Sequence, residues 1–387
     1  MNHHARPARF IALLLCAMLA LACAAAEPSL TDRGLDLAGS GVHGPQLDGL
    51  PDAAWQAEVN AKLTEAAKAA EWTGLLATVM SSDQRLTADW QGAVSGGVLS
   101  CALRREKTAG SARVLSEWST LNLDLERREA FTLWELFTDP SRGREAVETL
   151  LMDQAAPHVS AQPERGALLP LPETFALSEA GVTLYYPITQ FQTLADRCGT
   201  VTLSWRELSA AGVLDLSEGS LAARFGVPEL LRPDADRLRR SAEEGCLPAL
   251  PVRLGEDMEA LAGRYGVAAD PDLFSGGRYV QLEDGLFRGV WLMTAREGGK
   301  QLAGCRLEGI RADRFAACGL AAGETDRAAW LALLGQPDAS MALSPEEREG
   351  LRLDAARCDS YLCGDTILLL YADEDDILVS VVLRARN

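Results

Sequence analysis

Two stretches in the C-terminal third share one pattern, and that pattern restricts the available folds more than any other feature of the chain. Gly255-Glu-Asp-Met258 opens a helical periodicity that carries Met258, Leu261, Ala262 and Tyr265 and stops at Gly266. Gly323-Glu-Thr-Asp326 opens a second one that carries Trp330, Leu331 and Leu334 and stops at Gly335. Apolar residues at i, i+3, i+4 and i+7 make one buried helix face, and a glycine just past the last turn supplies the cap. Strand-like segments follow each helix, over 279–282, 285–293 and 301–310 and again over 366–371 and 377–383. A helix with a few short strands cannot bury its apolar face alone, so two such units are expected to cover one another. We place them at residues 251–316 and 317–387.

The residues before them mix helices and short strands. Trp55, Val59, Leu63 and Ala67 repeat every four residues and predict a helix over 53–70. Strands are expected over 99–105 and 116–125, where Leu121, Leu123 and Leu125 alternate with Asn122 and Asp124. Asp124 and Glu126 then share the polar face, which reads as solvent-exposed. Thr132-Leu-Trp-Glu135 is a capping-box pattern, and a helix over 141–155 turns Val147, Leu150 and Leu151 inward. Val182, Leu184 and Tyr186 alternate, as do Val201, Leu203 and Trp205. This order predicts an α+β fold, with helices packed on antiparallel sheets in a first domain over 45–217. A proline-broken connector over 218–250, with a short charged helix over 234–244, leads to the two helix-plus-sheet units.

The N-terminus reads as an address. His3, His4, Arg6 and Arg9 precede an unbroken apolar run over 10–22. As a helix that run spans about 20 Å, too short for the hydrocarbon core of a bilayer. A basic start, a short apolar run and small residues after it predict a secretory signal over 1–22. Ala20-Leu-Ala-Cys23 resembles a lipobox, which would make Cys23 a lipidation site and the membrane anchor. Ala24-Ala-Ala26 offers the alternative, cleavage before Glu27 and free secretion. Residues 23–44 are expected to form a flexible tether. Within them Gly39-Ser-Gly-Val-His-Gly44 fits a dinucleotide-binding spacing, but Pro45 and polar flanks replace the strand and helix such a site needs. A net charge of −18 argues against nucleic acid as a partner.

The candidate chemistry is sparse. Nine cysteines in an exported chain favour disulfides. Cys358 with Cys363 is the best local pair, and Cys305 with Cys318 the next. Zinc is disfavoured because their spacings do not match ligand patterns. After signal cleavage the remaining histidines are His43 and His158, and neither belongs to a catalytic or metal-binding motif. No catalytic residue, metal site or cofactor is therefore assigned. Trp55, Trp205 and Trp330 sit on apolar faces and read as core. Trp72 and Trp90 lie in less patterned stretches and are candidate binding residues for a sugar or a protein partner. Asp373-Glu-Asp-Asp376 reads as a solvated hairpin turn.

Three ordered motifs carry a resemblance. They are Gly44-Pro-Gln-Leu-Asp-Gly-Leu50 with Val59-Asn60; Ser119-Thr-Leu-Asn-Leu-Asp124 with Phe131-Thr-Leu-Trp-Glu-Leu-Phe137; and Phe175-Ala-Leu-Ser-Glu-Ala-Gly181 with Leu184-Tyr-Tyr186 and Val201-Thr-Leu-Ser-Trp-Arg-Glu-Leu208. Together, over about residues 45–216, they resemble the extracytoplasmic domain of unknown function in RsiV-type lysozyme-sensing anti-sigma factors and PdaC-type peptidoglycan deacetylases. The family's Asp-Leu-x-Thr-Gly-Lys turn is Asp124-Leu-Glu-Arg-Arg-Glu129 here, without its glycine. A sigma-binding segment and a deacetylase domain are also missing, so those roles do not carry over. Residues 252–387 resemble the tandem helix–sheet repeats of beta-lactamase inhibitor proteins and outer-membrane assembly lipoproteins. These resemblances imply an exported lipoprotein that binds an envelope protein, such as a muramidase, or a cell-wall glycan without catalysis. A wall-modifying hydrolase using acidic residues and a structural assembly factor are the alternatives.

Overall fold

Pairing begins earlier than the sequence suggests. The computed structural model describes residues 27–37, 40–68, 71–72, 84–109, 112–155, 170–187, 199–268, 272–274, 277–295 and 302–386. The signal segment and Cys23 lie outside them. Strands β1 (Ser29–Leu37) and β2 (Ser40–Asp48) pair antiparallel, so residues 29–37 and 40–44 are not a flexible tether. Val42 and Leu47 are buried. A Cβ on Gly34 would lie 2.1 Å from His43 Nδ1, so the glycine makes room for the imidazole on the neighbouring strand.

Helix α1 (Ala53–Ala66) starts where the Asp52 carboxylate accepts from the Ala54 and Trp55 amides. It buries Trp55, Val59 and Leu63 against Leu47, Leu99, Leu103 and Leu123. Burying each such side chain is worth about 1.5–3 kcal/mol. Strands β3 (Gln84–Ser95), β4 (Val98–Ala109), β5 (Ala112–Asp124) and β6 (Glu129–Ala130) complete a six-stranded sheet in sequence order. Its pairings are antiparallel except between β2 and β3, which meet in parallel at Gly41–Thr87 and Val42–Ala88. After the capped 3-10 turn Leu133–Leu136 comes α2 (Pro140–Ala155). A three-stranded sheet of β7 (Phe175–Ser178), β8 (Gly181–Tyr185) and β9 (Thr200–Ser204) then docks on β4 and β5. Buried polar groups make that junction: Leu177 N donates to Ser100 Oγ at 2.7 Å, and Asn122 Nδ2 donates to Phe175 O at 2.9 Å.

Asp124 corrects the sequence reading. It is 1 % exposed rather than solvated. Arg224 grips it with Nη1 and Nη2, both at 2.8 Å. That guanidinium holds the Asp124 carboxyl below the usual carboxylate range, against the opposing effect of burial. Arg224 belongs to the helical run α3 (Trp205–Ala210), α4 (Leu221–Arg224), α5 (Val227–Leu231) and α6 (Ala235–Glu243).

Helix α7 (Met258–Tyr265) follows, with β10 (Asp272–Phe274), β11 (Gly277–Val280), β12 (Val290–Thr294) and β13 (Gly309–Ala312). A small ladder of β14 (Ala316–Ala317) and β15 (Leu320–Ala321) leads to α8 (Arg327–Leu334). Then come β16 (Ala339–Ala342), α9 (Pro345–Leu351), β17 (Arg357–Cys363), β18 (Thr366–Ala372) and β19 (Leu378–Ala385). One antiparallel sheet holds them in the order β10-β11-β12-β13-β19-β18-β17-β16, so the two sets of four meet through their last strands. The helices are built alike. Asp257 caps α7 and Asp326 caps α8, each by a side-chain carboxylate. Gly266 N donates to Ala262 O and Gly335 N to Leu331 O, both at 2.9 Å. The whole is an α+β fold of helices on antiparallel sheets.

The candidate disulfides are not formed. Cys358 and Cys363 stand five residues apart on β17, which separates them by about 17 Å and turns them to opposite faces. That is beyond disulfide reach. They lie in different apolar clusters accordingly. Arg278 Nη2 donates to Cys305 Sγ at 2.7 Å, while Cys318 is buried and burial pushes its thiol up to about 11. No disulfide joins the six described cysteines.

Candidate functional site

The register of the first sheet sets Asp89 opposite Arg104 and Arg104 opposite Trp118, one row across β3, β4 and β5. Side chains in such a row share a face. Helix α7 comes down on it. Arg104 Nη1 donates to Arg264 O at 2.6 Å, and Arg264 Nε lies 3.7 Å from Asp89 Oδ2. The Trp118 ring packs on Tyr185 with centroids 4.4 Å apart, and the Arg104 guanidinium lies 5.8 Å from the Trp118 centroid. A cleft of about 1030 Å³ runs between sheet and helix.

Trp90 follows Asp89 and so leaves the opposite face of β3. It reaches the cleft because β2 and β3 pair over just two residues and leave the sheet open beyond them. There Trp90 Nε1 donates to Asp32 Oδ1 at 2.6 Å, and His43 Nδ1 lies 2.7 Å from Asp32 Oδ2. Burial would raise the Asp32 carboxyl, but the hydrogen bonds from Trp90 and His43 outweigh it and hold the group below its ordinary range. Asp284 lines the same cleft with the opposite balance. Burial raises its carboxyl, and the Leu286 amide, the Arg104 charge and the Thr200 hydroxyl offset that in part. Burial likewise pushes the Tyr265 hydroxyl up to about 12.

Two details of the cleft have no packing explanation. Arg104 is 8 % exposed, and its Nε has no hydrogen-bond partner among the described residues. A buried donor left so is unfavourable by about 1–3 kcal/mol. Gly263 sits inside α7 where an added Cβ would meet nothing within 4 Å, yet glycine there is less favourable than alanine by about 0.5–1 kcal/mol. The open space over Gly263 is accounted for if a ligand lies against the helix, whereas the Arg104 Nε is sealed from the cleft by protein atoms and does not bear on a ligand.

Of the two tryptophans singled out in the sequence, Trp90 lies in the cleft and Trp72 does not. Trp72 is 2 % exposed and packs with Val42, Leu86 and Ala88, so it is a core residue. Asp32, Arg104, Trp118, Arg264 and Asp284 were not singled out. Their convergence depends on strand register and on the docking of α7, which residue spacing does not reveal. Among the described residues no group of three or more His, Cys, Asp or Glu side chains is assembled to hold a metal ion.

No family model matches the sequence, and no curated protein matches it. The fold is similar in part to solved bacterial structures. A DUF4309 family protein, YjgB from Bacillus subtilis, is 13% identical with a TM-score of 0.27, covering 39% of this chain and 95% of its own. A DUF3298 family member from Bacteroides fragilis is 14% identical with a TM-score of 0.34, covering 52% and 97%. A DUF3298 family protein from Pseudomonas aeruginosa is 13% identical with a TM-score of 0.31, covering 49% and 94%. These likenesses are to domains of unknown function, and the function proposed below does not rest on them.

Proposed function

We propose that this chain is an exported, lipid-anchored binding module whose cleft holds a cell-wall glycan. The observation that carries the reading is one cleft bordered by the partly exposed rings of Trp90 and Trp118 and by Arg104, Arg264, Asp89 and the Asp32–His43 pair. Ring faces suit the apolar faces of sugars, and a few fixed polar groups set orientation. Wall glycans carry hydroxyl, acetamido and carboxylate groups, for which guanidinium and carboxylate side chains are the matching partners. The resemblance of residues 45–216 to RsiV- and PdaC-type domains supports the envelope as the site of action, and the signal with Cys23 supports the anchor. Among the described residues no helix is long and apolar enough to cross a membrane. Palmitate labelling should mark the wild type and not Cys23→Ala. Pull-down from envelope extract should enrich wall glycan. Recovery of a muramidase without glycan would move the reading to a protein partner, and recovery of neither would end it.

A second reading, a wall-modifying hydrolase, is favoured by one observation. Asp32 and Asp284 line the same cleft in environments that push their carboxyls in opposite directions, one of the features an acid–base pair requires beside a fitting separation. Turnover of wall glycan that disappears in Asp284→Asn would establish it. Binding without turnover would exclude it.

A further inference from the structure

We infer that the ligand of the cleft is an amphiphile, with its polar part in the outer cleft and an apolar chain in a second cavity behind it. The inference rests on the binding reading above and specifies the ligand. The second cavity measures about 320 Å³ and lies between the β3, β7 and β8 strands and the loop 247–251. The two cavities share Gln91, which lines both. Its Nε2 donates to Tyr185 Oη at 2.5 Å. The same Tyr185 lines the inner cavity and packs on Trp118 of the outer one. The Gln91–Tyr185 contact therefore lies on the boundary between a charged, aromatic outer cleft and the second cavity, and the apolar chain of the ligand reaches that cavity by parting this contact.

The chamber differs in chemistry from the cleft. Its walls are mainly small or apolar, including Ala93, Ala176, Leu247, Leu250 and Leu286, and the charged group among them is Glu179. Its volume equals that of about ten waters in the liquid, room for a chain of roughly eight carbons. An apolar space of this size attached to a polar one fits a glycan or sugar derivative that carries an alkyl or acyl chain. A fully polar oligosaccharide would leave the chamber unfilled. The loop that closes it holds Ala249 at φ +69°, a conformation an alanine adopts only under constraint.

The test is a chain-length series of alkyl N-acetyl-β-glucosaminides, methyl through decyl, titrated calorimetrically into the full mature protein below their micelle-forming concentrations. Affinity should rise by about fourfold per methylene until the chamber is full, then level off. Ala93→Phe, which fills the chamber and leaves the outer cleft untouched, should abolish the rise while methyl-glycoside binding persists. Equal affinity for methyl and octyl glycosides overturns this inference and leaves the outer-cleft reading standing. A chain-length rise that survives in Ala93→Phe also overturns it, because the chain then binds elsewhere. Binding of no member of the series overturns both.

Discussion

Arg128 ends the turn after β5 at a φ of +63°, left-handed backbone that favours glycine. A side chain in left-handed backbone costs about 1–2 kcal/mol. Its ion pair with Asp52, at 2.7 Å between half-exposed side chains, returns under about 1 kcal/mol. We expect Arg128→Gly to be more stable than Arg128→Ala by about 1 kcal/mol in urea unfolding, a comparison that removes the same side-chain contacts from both. Asp124, which directly precedes the turn, makes the opposite case. Losing the carboxylate would take the bidentate partner from the mostly buried Arg224 and leave it the Gly96 and Gly97 carbonyls and the exposed Glu126, so Asp124→Asn should destabilise by about 2 kcal/mol. The folded carboxyl titrates below its unfolded value, so its contribution is present above about pH 4 and fades as pH falls through the lower folded value. Unfolding free energy should therefore drop more steeply below pH 4 in the wild type than in Asp124→Asn. Nothing in the residue spacing distinguished Asp124 from an exposed strand carboxylate, because its partner lies a hundred residues away.

Elements with a strong period were legible, and those shaped by register or by glycine were not. The four-residue spacing of Trp55, Val59 and Leu63 located α1, and the matched faces of α7 and α8 located both repeat helices with the glycines that end them. Replacing the Asp326 cap by alanine should cost about 1 kcal/mol in thermal or chemical unfolding. The β1–β2 pair was hidden by glycines that look like linker but admit His43 over Gly34. Strand β3 was missed because its faces do not alternate cleanly, Trp90 being half-covered at an opening in the sheet. Gly263 belongs at this scale as well. Gly263→Ala should raise stability by about 0.5–1 kcal/mol through α7 and weaken ligand binding by crowding the cleft. A gain in stability with unchanged affinity would show that the ligand does not approach that helix.

The whole molecule brings the first sheet and the first repeat helix together, and the candidate site exists only in that assembly. Arg104 from β4 reaches the α7 backbone, Gly285 N donates to Thr200 Oγ1 at 2.6 Å, and the Arg206–Glu324 and Arg237–Glu179 pairs bridge further along. Neither the first domain nor the repeats alone would present the cleft, which explains why motifs read segment by segment pointed to a location in the cell and not to a site. The most direct measurement is calorimetric titration of the mature protein with solubilised wall glycan, alongside Trp118→Ala and Arg104→Met variants shown to be folded by circular dichroism. The account predicts saturable binding by the wild type and a loss of about tenfold or more in each variant. Absence of saturable binding, or equal affinity in all three proteins, would contradict it.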